Sequence, residues 1–390
     1  METGLAIANP GSSPAVVTFH FTDAAGADFG SGSTTVEAGA AIGVFLDQTP
    51  FNGGAAIQGT FSFSSSVPVG ATALRGFTNE RSEFLLTTLP VVDTSAATGT
   101  SPLSLSQFAD GGGWRTQVIL VNPTDNPLTG TIQFLGDGSA TVAASPVTLT
   151  ANGQAASSFA YTIPRQSSFK LATSGTPSTT SSGSVRVTPT GNTVAPSALL
   201  VFSYKPGAVT VSEAGVPAIQ GSAFRMYAEV NNAAMPGPIE TGVAVANLGS
   251  TAGTVNFELF KLDGSAAGIP STSLTLAANG HLAKFVQELF PALPLPFQGI
   301  LRISSAAASG ISVVGLRARY NERNDFLITT TPPSNEATPF SNVEQVFPRL
   351  VNGGGYTTQF ILFSGRAGQV SSGNLDYLDA AELRLSLPLN

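Results

Sequence analysis

FADGGGWRTQVILVNPTD, residues 108–125, is the stretch on which the fold turns. Its Asp-Gly step opens a run of three glycines, residues that adopt positive φ at no steric cost, so the run reads as a tight hairpin. A phosphate-cradling loop would need a lysine and a following helix. Here the glycines lead into Gln117–Val121, an apolar segment of strand composition, and then into Asn-Pro-Thr-Asp, which is turn chemistry. Hairpin, strand and turn make this a piece of β framework rather than a ligand loop.

The same framework returns along the chain. LVNGGGYTTQFILFSG from Leu350 repeats it, with Thr358 standing 242 positions after Thr116. ALRGFTNERSEFLLTTLP from Ala73 returns at the same spacing as GLRARYNERNDFLITTTP from Gly315, and ETGLAIANPGS at Glu2 returns as ETGVAVANLGS at Glu240. A weaker copy sets ALLVFSYKPG from Ala198 against ALRGFTNERS from Ala73. Within a copy, AVVTFHFTD alternates Val17, Phe19 and Phe21 with Thr18, His20 and Thr22, the period of a half-buried strand. The expected fold is therefore all-β, made of tandem antiparallel β-sandwich repeats of immunoglobulin-like type, roughly 115–125 residues each. The expected division is a first unit over 1–93 that lacks the opening strand segment, a linker over 94–107, units over 108–219 and 222–333, and the first strands of a fourth over 343–390. One segment departs from β: LAKFVQELF from Leu282 reads as one or two helical turns.

Composition narrows the function. Of 390 residues only 11% are charged, the net charge is −7, and there is no cysteine. Nucleic acid and anionic membranes both call for clustered cations, which this chain lacks. Disulfides, cysteine-ligated metals and a cysteine nucleophile are excluded. No apolar run approaches the ~18 residues of a membrane-spanning helix. The N-terminal METGLAIANPGSS lacks the basic and apolar regions of a signal peptide, so an exported form would have lost its signal or carry it outside this stretch. A low-charge chain rich in Ser, Thr and Gly suits an extracellular or cell-surface setting.

Few residues suggest chemistry. Trp114 and Tyr356 follow the two glycine runs and are expected to pack across a strand pair; the alternative is an exposed ring at either that stacks on a sugar. Asn79, Glu80 and Glu83 recur as Asn321, Glu322 and Asp325; such oxygens could hold Ca²⁺, although calcium takes six or more and only three side chains stand in each hairpin. The competing reading is a charged hairpin tip with local ion pairs. Arg75 and Arg317 share a position read as the solvent face of a strand. His20 falls on the polar face of its strand, and His281, set against Ala40 and Gln154 in the other copies, reads as a surface residue. No histidine pair stands at metal-ligand spacing, and no nucleophile elbow, HExxH or dinucleotide fingerprint is present.

ADGGGWRTQVILVNPTD, with GILRISS and GLRARYNERNDFLITTTPP, resembles repeats of large secreted bacterial proteins described as immunoglobulin-like or surface-associated β-sandwich repeats. The resemblance implies an extracytoplasmic structural or binding role and carries no settled activity. The expectation is a non-enzymatic extracellular structural repeat protein. Copies of itself are the expected partners, joined head to tail into fibres as terminal strands complement an open sheet edge. The alternatives are a carbohydrate-binding or adhesin module with polysaccharide as partner, and, further off, a glycoside- or ester-cleaving enzyme with no resident cofactor.

Overall fold

The computed structural model describes residues 1–54, 57–94, 99–232, 237–338, 344–364 and 371–378. It is all-β, built of packed antiparallel sheets, with one helical turn among the described residues.

The first group of strands is β1 (Glu2–Ala8), β2 (Ala15–Thr22), β3 (Asp28–Val36), β4 (Ala41–Phe45), β5 (Thr60–Ser65), β6 (Gly70–Thr78) and β7 (Phe84–Leu89). They form one sheet in the order β4-β1-β6-β7 and another in the order β3-β2-β5. Leu5 and Ile7 of β1 face Val17, Phe19 and Phe21 of β2 across the buried interior. The alternation expected over Ala15–Thr22 appears as a buried–exposed alternation. It breaks at its end, where a register shift after Phe21 turns Thr22 inward to donate to Asp28 Oδ1.

The second group is β8 (Leu103–Asp110), β9 (Trp114–Val121), β10 (Leu128–Leu135), β11 (Leu149–Ala151), β12 (Gln154–Ala156), β13 (Ser158–Ile163), β14 (Ser168–Ala172), β15 (Ser181–Pro189), β16 (Ser197–Tyr204) and β17 (Ser212–Pro217). Its main sheets run β13-β10-β15-β8 and β14-β9-β16-β17, and β11-β12 is an extra hairpin. The segment read as a linker over 94–107 enters β8 at Leu103.

The third group is β18 (Gln220–Gly221), β19 (Ala223–Asn231), β20 (Ile239–Asn247), β21 (Gly253–Lys261), β22 (Thr272–Leu276), β23 (His281–Phe285), α1 (Val286–Leu289), β24 (Phe297–Ser305), β25 (Ile311–Tyr320), β26 (Phe326–Thr331) and β27 (Ser334–Asn335). One face reads β22-β21-β24-β19 and the other β23-β20-β25-β26; they count as one sheet because β19 and β20 also pair at Val230 and Asn231. Met226, Val243, Phe257, Leu301 and Val313 fill the space between them. Half of the expected helix is strand: Leu282–Phe285 pairs with β20, and only Val286–Leu289 winds.

Two side-chain devices hold these groups. Asn9, Asn122 and Asn247 end β1, β9 and β20 and are almost completely buried. Asn122 Nδ2 donates to the carbonyls of Asn126, Ile163 and Pro164, and Asn9 and Asn247 each reach three carbonyls in the same way. A buried amide serving three carbonyls ties one turn to the next and satisfies groups that would be costly to leave bare. The second device is a threonine. Thr116 Oγ1 bonds both the N–H and the carbonyl of Ala109, and Thr241 does the same to Glu229. Each lock joins the strand that precedes the hairpin to the strand that follows it.

The registers correct one alignment. Arg75 stands opposite Thr3 and Arg317 opposite Thr241, while Phe202 stands opposite Thr116. The counterpart of Ala73 is therefore Leu200, two residues beyond Ala198. Apolar strand sequence tolerates such a slip, which keeps every side chain on its face.

In the C-terminal stretch, expected to hold the first strands of a further unit, the described residues form no strand. A hairpin closes at Gly353 and Tyr356, and Thr358 Oγ1 bonds the N–H and carbonyl of Val351, the same lock again. Arg349 lies against Gly43 and Val346 against Gly70, while Ser364 accepts a bond from Arg225 Nη1. The segment thus touches both the first and the third group.

Candidate functional site

Three hairpin ends meet: 79–83 between β6 and β7, 205–211 between β16 and β17, and 321–325 between β25 and β26. Here the structure collects most of the charged candidates. Asn79 Oδ1 accepts the backbone N–H groups of Arg81 and Glu83, and Asn321 Oδ1 accepts those of Arg323 and Asp325. The asparagine shapes the loop, as short polar side chains do in turns, and Ser82 and Asn324 take the positive φ that each loop needs.

The charges above these loops are cross-linked. Arg81 Nη2 donates to Asp325 Oδ2 at 2.7 Å, and Arg323 donates to Glu83. Since Arg81 and Arg323 share a position in the two hairpins, as do Glu83 and Asp325, the contact is reciprocal. Glu80 turns the other way, accepting from Lys205 Nζ and from the Thr210 N–H at 2.8 Å. The Lys205 bond, helped by that N–H, pulls the Glu80 carboxyl down to about 2. The Asn79 amide and Arg81 lower Glu83, and Arg81 and Asn321 lower Asp325. Glu322, at the position of Glu80, meets Arg319 at the end of β25 and stays largely exposed. The six metal candidates thus divide. Glu83 and Asp325 meet through arginines, Asn321 serves its own turn, Asn79 shapes its turn and donates to the Thr210 carbonyl of the second group, and Glu80 and Glu322 point elsewhere. Among the described residues no group of three or more His, Cys, Asp or Glu could hold a metal ion.

Below the hairpin ends, Trp114 stacks on Tyr204 with centroids 4.4 Å apart and meets the edge of Phe326 at 6.3 Å. Tyr320 packs on the same Phe326. Trp114 is a half-buried strut between the second and third groups, its large surface spent on neighbouring rings. Tyr356 shares its backbone setting: Gly111 and Trp114 exchange two hydrogen bonds, and so do Gly353 and Tyr356. The residue, however, is 56% exposed. The structure does not bring Trp114 and Tyr356 together. The glycine run itself is a turn, with φ of 88°, 60° and 91° at Gly111, Gly112 and Gly113.

Two residues read as surface groups are buried ties. Arg75 is 8% exposed and gives a two-pronged bond to Glu213, Nε to Oε2 at 2.9 Å and Nη2 to Oε1 at 3.2 Å. It stands on the solvent face of its own sheet, but the second group covers that face. His281 is 5% exposed; its Nδ1 meets Asp137 Oδ1 at 2.8 Å and its N–H donates to the Asp137 carbonyl. Asn247 N bonds Gly280 O as Asn122 N bonds Ser167 O and Asn9 N bonds Ala40 O, so the counterparts of His281 are Ala41 and Ser168, not Ala40 and Gln154. His20 meets Gln166 of the second group at 2.8 Å.

Sequence reasoning missed Glu213, Asp137 and Gln166. The one signal for Glu213 was an acid alone in the apolar run VTVSEAGVPAI, a setting in which a charge needs a partner. Two clefts lie on the surface. One, about 460 Å³, is lined by small residues such as Ser250, Thr251 and Ser309; the other, about 350 Å³, lies beside Arg186 and Asn279, already bonded at 2.7 Å. Neither brings a nucleophile beside a base. No helix of the described residues is long and apolar enough to cross a membrane.

Comparison of the chain with protein-family models, with curated proteins and with solved structures returns no match.

Proposed function

We propose that the chain is a non-enzymatic structural protein of the cell exterior, a scaffold of successive immunoglobulin-like β-sandwich units clamped to one another at their hairpin ends. What carries this reading is the fate of the charged candidates: Glu80, Glu83, Asp325 and Arg75 are engaged in ties between strand groups. A site for chemistry holds such groups toward a cleft; a scaffold spends them on its joints. The setting outside the cell rests on the low charge and on the resemblance to secreted repeat proteins. Val346 and Arg349 lie on the first group of the same chain, which weighs against head-to-tail assembly through residues 343–390.

The test is an assay of the purified chain against glycoside and ester substrates, beside Glu83→Gln and Asp325→Asn. The scaffold reading expects no turnover by any of them; turnover by the intact chain that either substitution removes would overturn it. One observation favours a second reading, polysaccharide binding: Tyr356 is exposed. On a glycan array that reading expects Tyr356→Ala to lose binding and Trp114→Ala to keep it.

A further inference from the structure

The joint between the second and third groups follows a definite plan. At one end Ser312 Oγ, at the start of β25, donates to the Ser104 carbonyl of β8 at 2.9 Å. At the other end Trp114, ten residues after Ser104, meets the edge of Phe326, fourteen residues after Ser312. Between these ends β8 packs on β20, β23 and β25, and Ala244, Val314, Leu316 and Ile328 reach the core of the second group.

Both surfaces of this joint recur at the repeat spacing of 242 positions. Ser104 and Trp114 return as Val346 and Tyr356. Ser312, Leu316, Phe326 and Ile328 have Gly70, Leu74, Phe84 and Leu86 as their earlier copies. The structure has made one end of this second joint. Val346 and Pro348 lie against Gly70, and Arg349 lies against Gly43. These are residues of β6 and β4, the counterparts of β25 and β23 on which β8 packs. The registers put Gly43, Gly70, Leu74, Phe84 and Leu86 on one face of the sheet β4-β1-β6-β7. The other end is open. Phe84 is 45% exposed, Leu86 48% and Tyr356 56%, whereas Phe326, Ile328 and Trp114 are half-buried. Among the described residues the ring beside Phe84 is Phe45 of its own sheet, edge-on at 6.4 Å.

From this we infer that the exposed face at Phe84 and Leu86 is a docking surface for the chain's own hairpin over 350–358, with Tyr356 covering Phe84 as Trp114 covers Phe326. The occupant follows from what is already seated. Val346 holds the place of Ser104 on the same sheet, and ten residues separate Val346 from Tyr356 as ten separate Ser104 from Trp114. The hairpin is preformed. Its glycines have φ of 104°, 60° and 89°, against 88°, 60° and 91° at Gly111, Gly112 and Gly113, and Thr358 locks Val351 as Thr116 locks Ala109. Closure therefore moves a finished turn and refolds nothing. It hides two exposed aromatic residues and a leucine, the surface whose removal from water drives such contacts. The chain is then clasped on its first group by a stretch more than 250 positions away. The inference stands on the repeated joint and does not depend on the scaffold reading.

The chain has no cysteine, so disulfide trapping reads the contact directly. In the full chain Phe84→Cys is combined with Tyr356→Cys and oxidised mildly. The control combines Tyr356→Cys with Phe29→Cys, an equally exposed position on the other sheet of the first group. All three positions are exposed, so the variants keep the fold. The inference expects a cross-link within one chain, formed about tenfold faster than in the control and at a rate independent of protein concentration. A second measurement needs no cysteine: Tyr356→Ala speeds amide exchange over Phe84–Leu89, and Phe29→Ala does not. Cross-linking no faster than the control, or exchange over Phe84–Leu89 unchanged in Tyr356→Ala, overturns the inference. Cross-links that form only between chains and fade on dilution give the Phe84 face to a second copy and overturn its assignment to the chain's own hairpin.

Discussion

The first and second groups of strands share one sheet order, β4-β1-β6-β7 against β14-β9-β16-β17; among the described residues the second adds the β11-β12 hairpin and, at the edge of its other sheet, β8. Where β8 is present, Phe108 and Leu105 are sealed, Thr116 is fully buried, and the face of the third group below is dry. Where no such strand is described, Phe63 is half-exposed, Thr3 is open, and Ile119 is half-exposed on the neighbour. A strand at this position does two tasks, closing its own sandwich and gluing it to the next. Among the described residues the joint between the first and second groups carries polar ties, among them Arg75 with Glu213, His20 with Gln166, Glu80 with Lys205, and Gly215 N–H on Thr87 Oγ1.

That contrast can be broken most forcefully at Glu213. Glu213→Ala leaves the buried Arg75 guanidinium without its partner and costs about 3–5 kcal/mol in denaturant unfolding. The double variant Arg75→Met with Glu213→Leu recovers much of that loss. If Glu213→Ala is neutral, the joint does not depend on this pair. A smaller effect sharpens the comparison of the two threonines. Thr116→Val leaves the Ala109 N–H and carbonyl without their hydroxyl and costs about 1–2 kcal/mol, while Thr3→Val, at an exposed hydroxyl, changes thermal unfolding little. Equal losses at the two positions would show that the first group has its lock filled. The least effect belongs to the hairpin ends. Arg81→Gln lowers Tm by less than Thr116→Val does, and added salt shrinks the difference, because the Arg81 pair is partly solvated.

Acid probes the same hairpin ends. The carboxyls of Glu80, Glu83 and Asp325 are depressed in the folded chain, so their contribution is complete above the ordinary glutamate value of 4.5 and fades as protons are added. For Glu80 the loss runs from there down to about 2. Unfolding followed between pH 6 and 2 therefore weakens over that window (roughly the span in which such carboxyls take up protons). Glu80→Gln flattens part of the slope, and an unchanged slope in that variant separates Glu80 from the effect.

Much of the framework could be read from the chain. The alternation of Val17, Phe19 and Phe21 gave a strand and its buried face, and the glycine run gave a hairpin, because both are local matters of period and φ. The returning Asn-Pro turns were visible too, although the buried work of Asn122 was not, since three carbonyls from distant turns converge on it. The joints were opaque for a related reason. Arg75 and His281 lie on faces that are outer faces within their own group, and nothing in a period of two says that another group will cover them. That Trp114 packs across a strand pair was legible, and it does stack on its cross-strand partner Tyr204; that Phe326, more than two hundred positions later, also closes over it was not. In LAKFVQELF the apolar spacing suits a turn of helix and a strand alike, and pairing with β20 decided in favour of strand for its first half.

Ala244, Val314 and Leu316 of the third group pack into the core of the second. Heat or denaturant cannot open one interior without baring part of the other, so these two groups should melt in a single transition. The first group, joined through polar ties, is the piece able to come apart earlier. The number of steps in a calorimetric trace would then be smaller than the number of sandwiches the sequence pattern suggests.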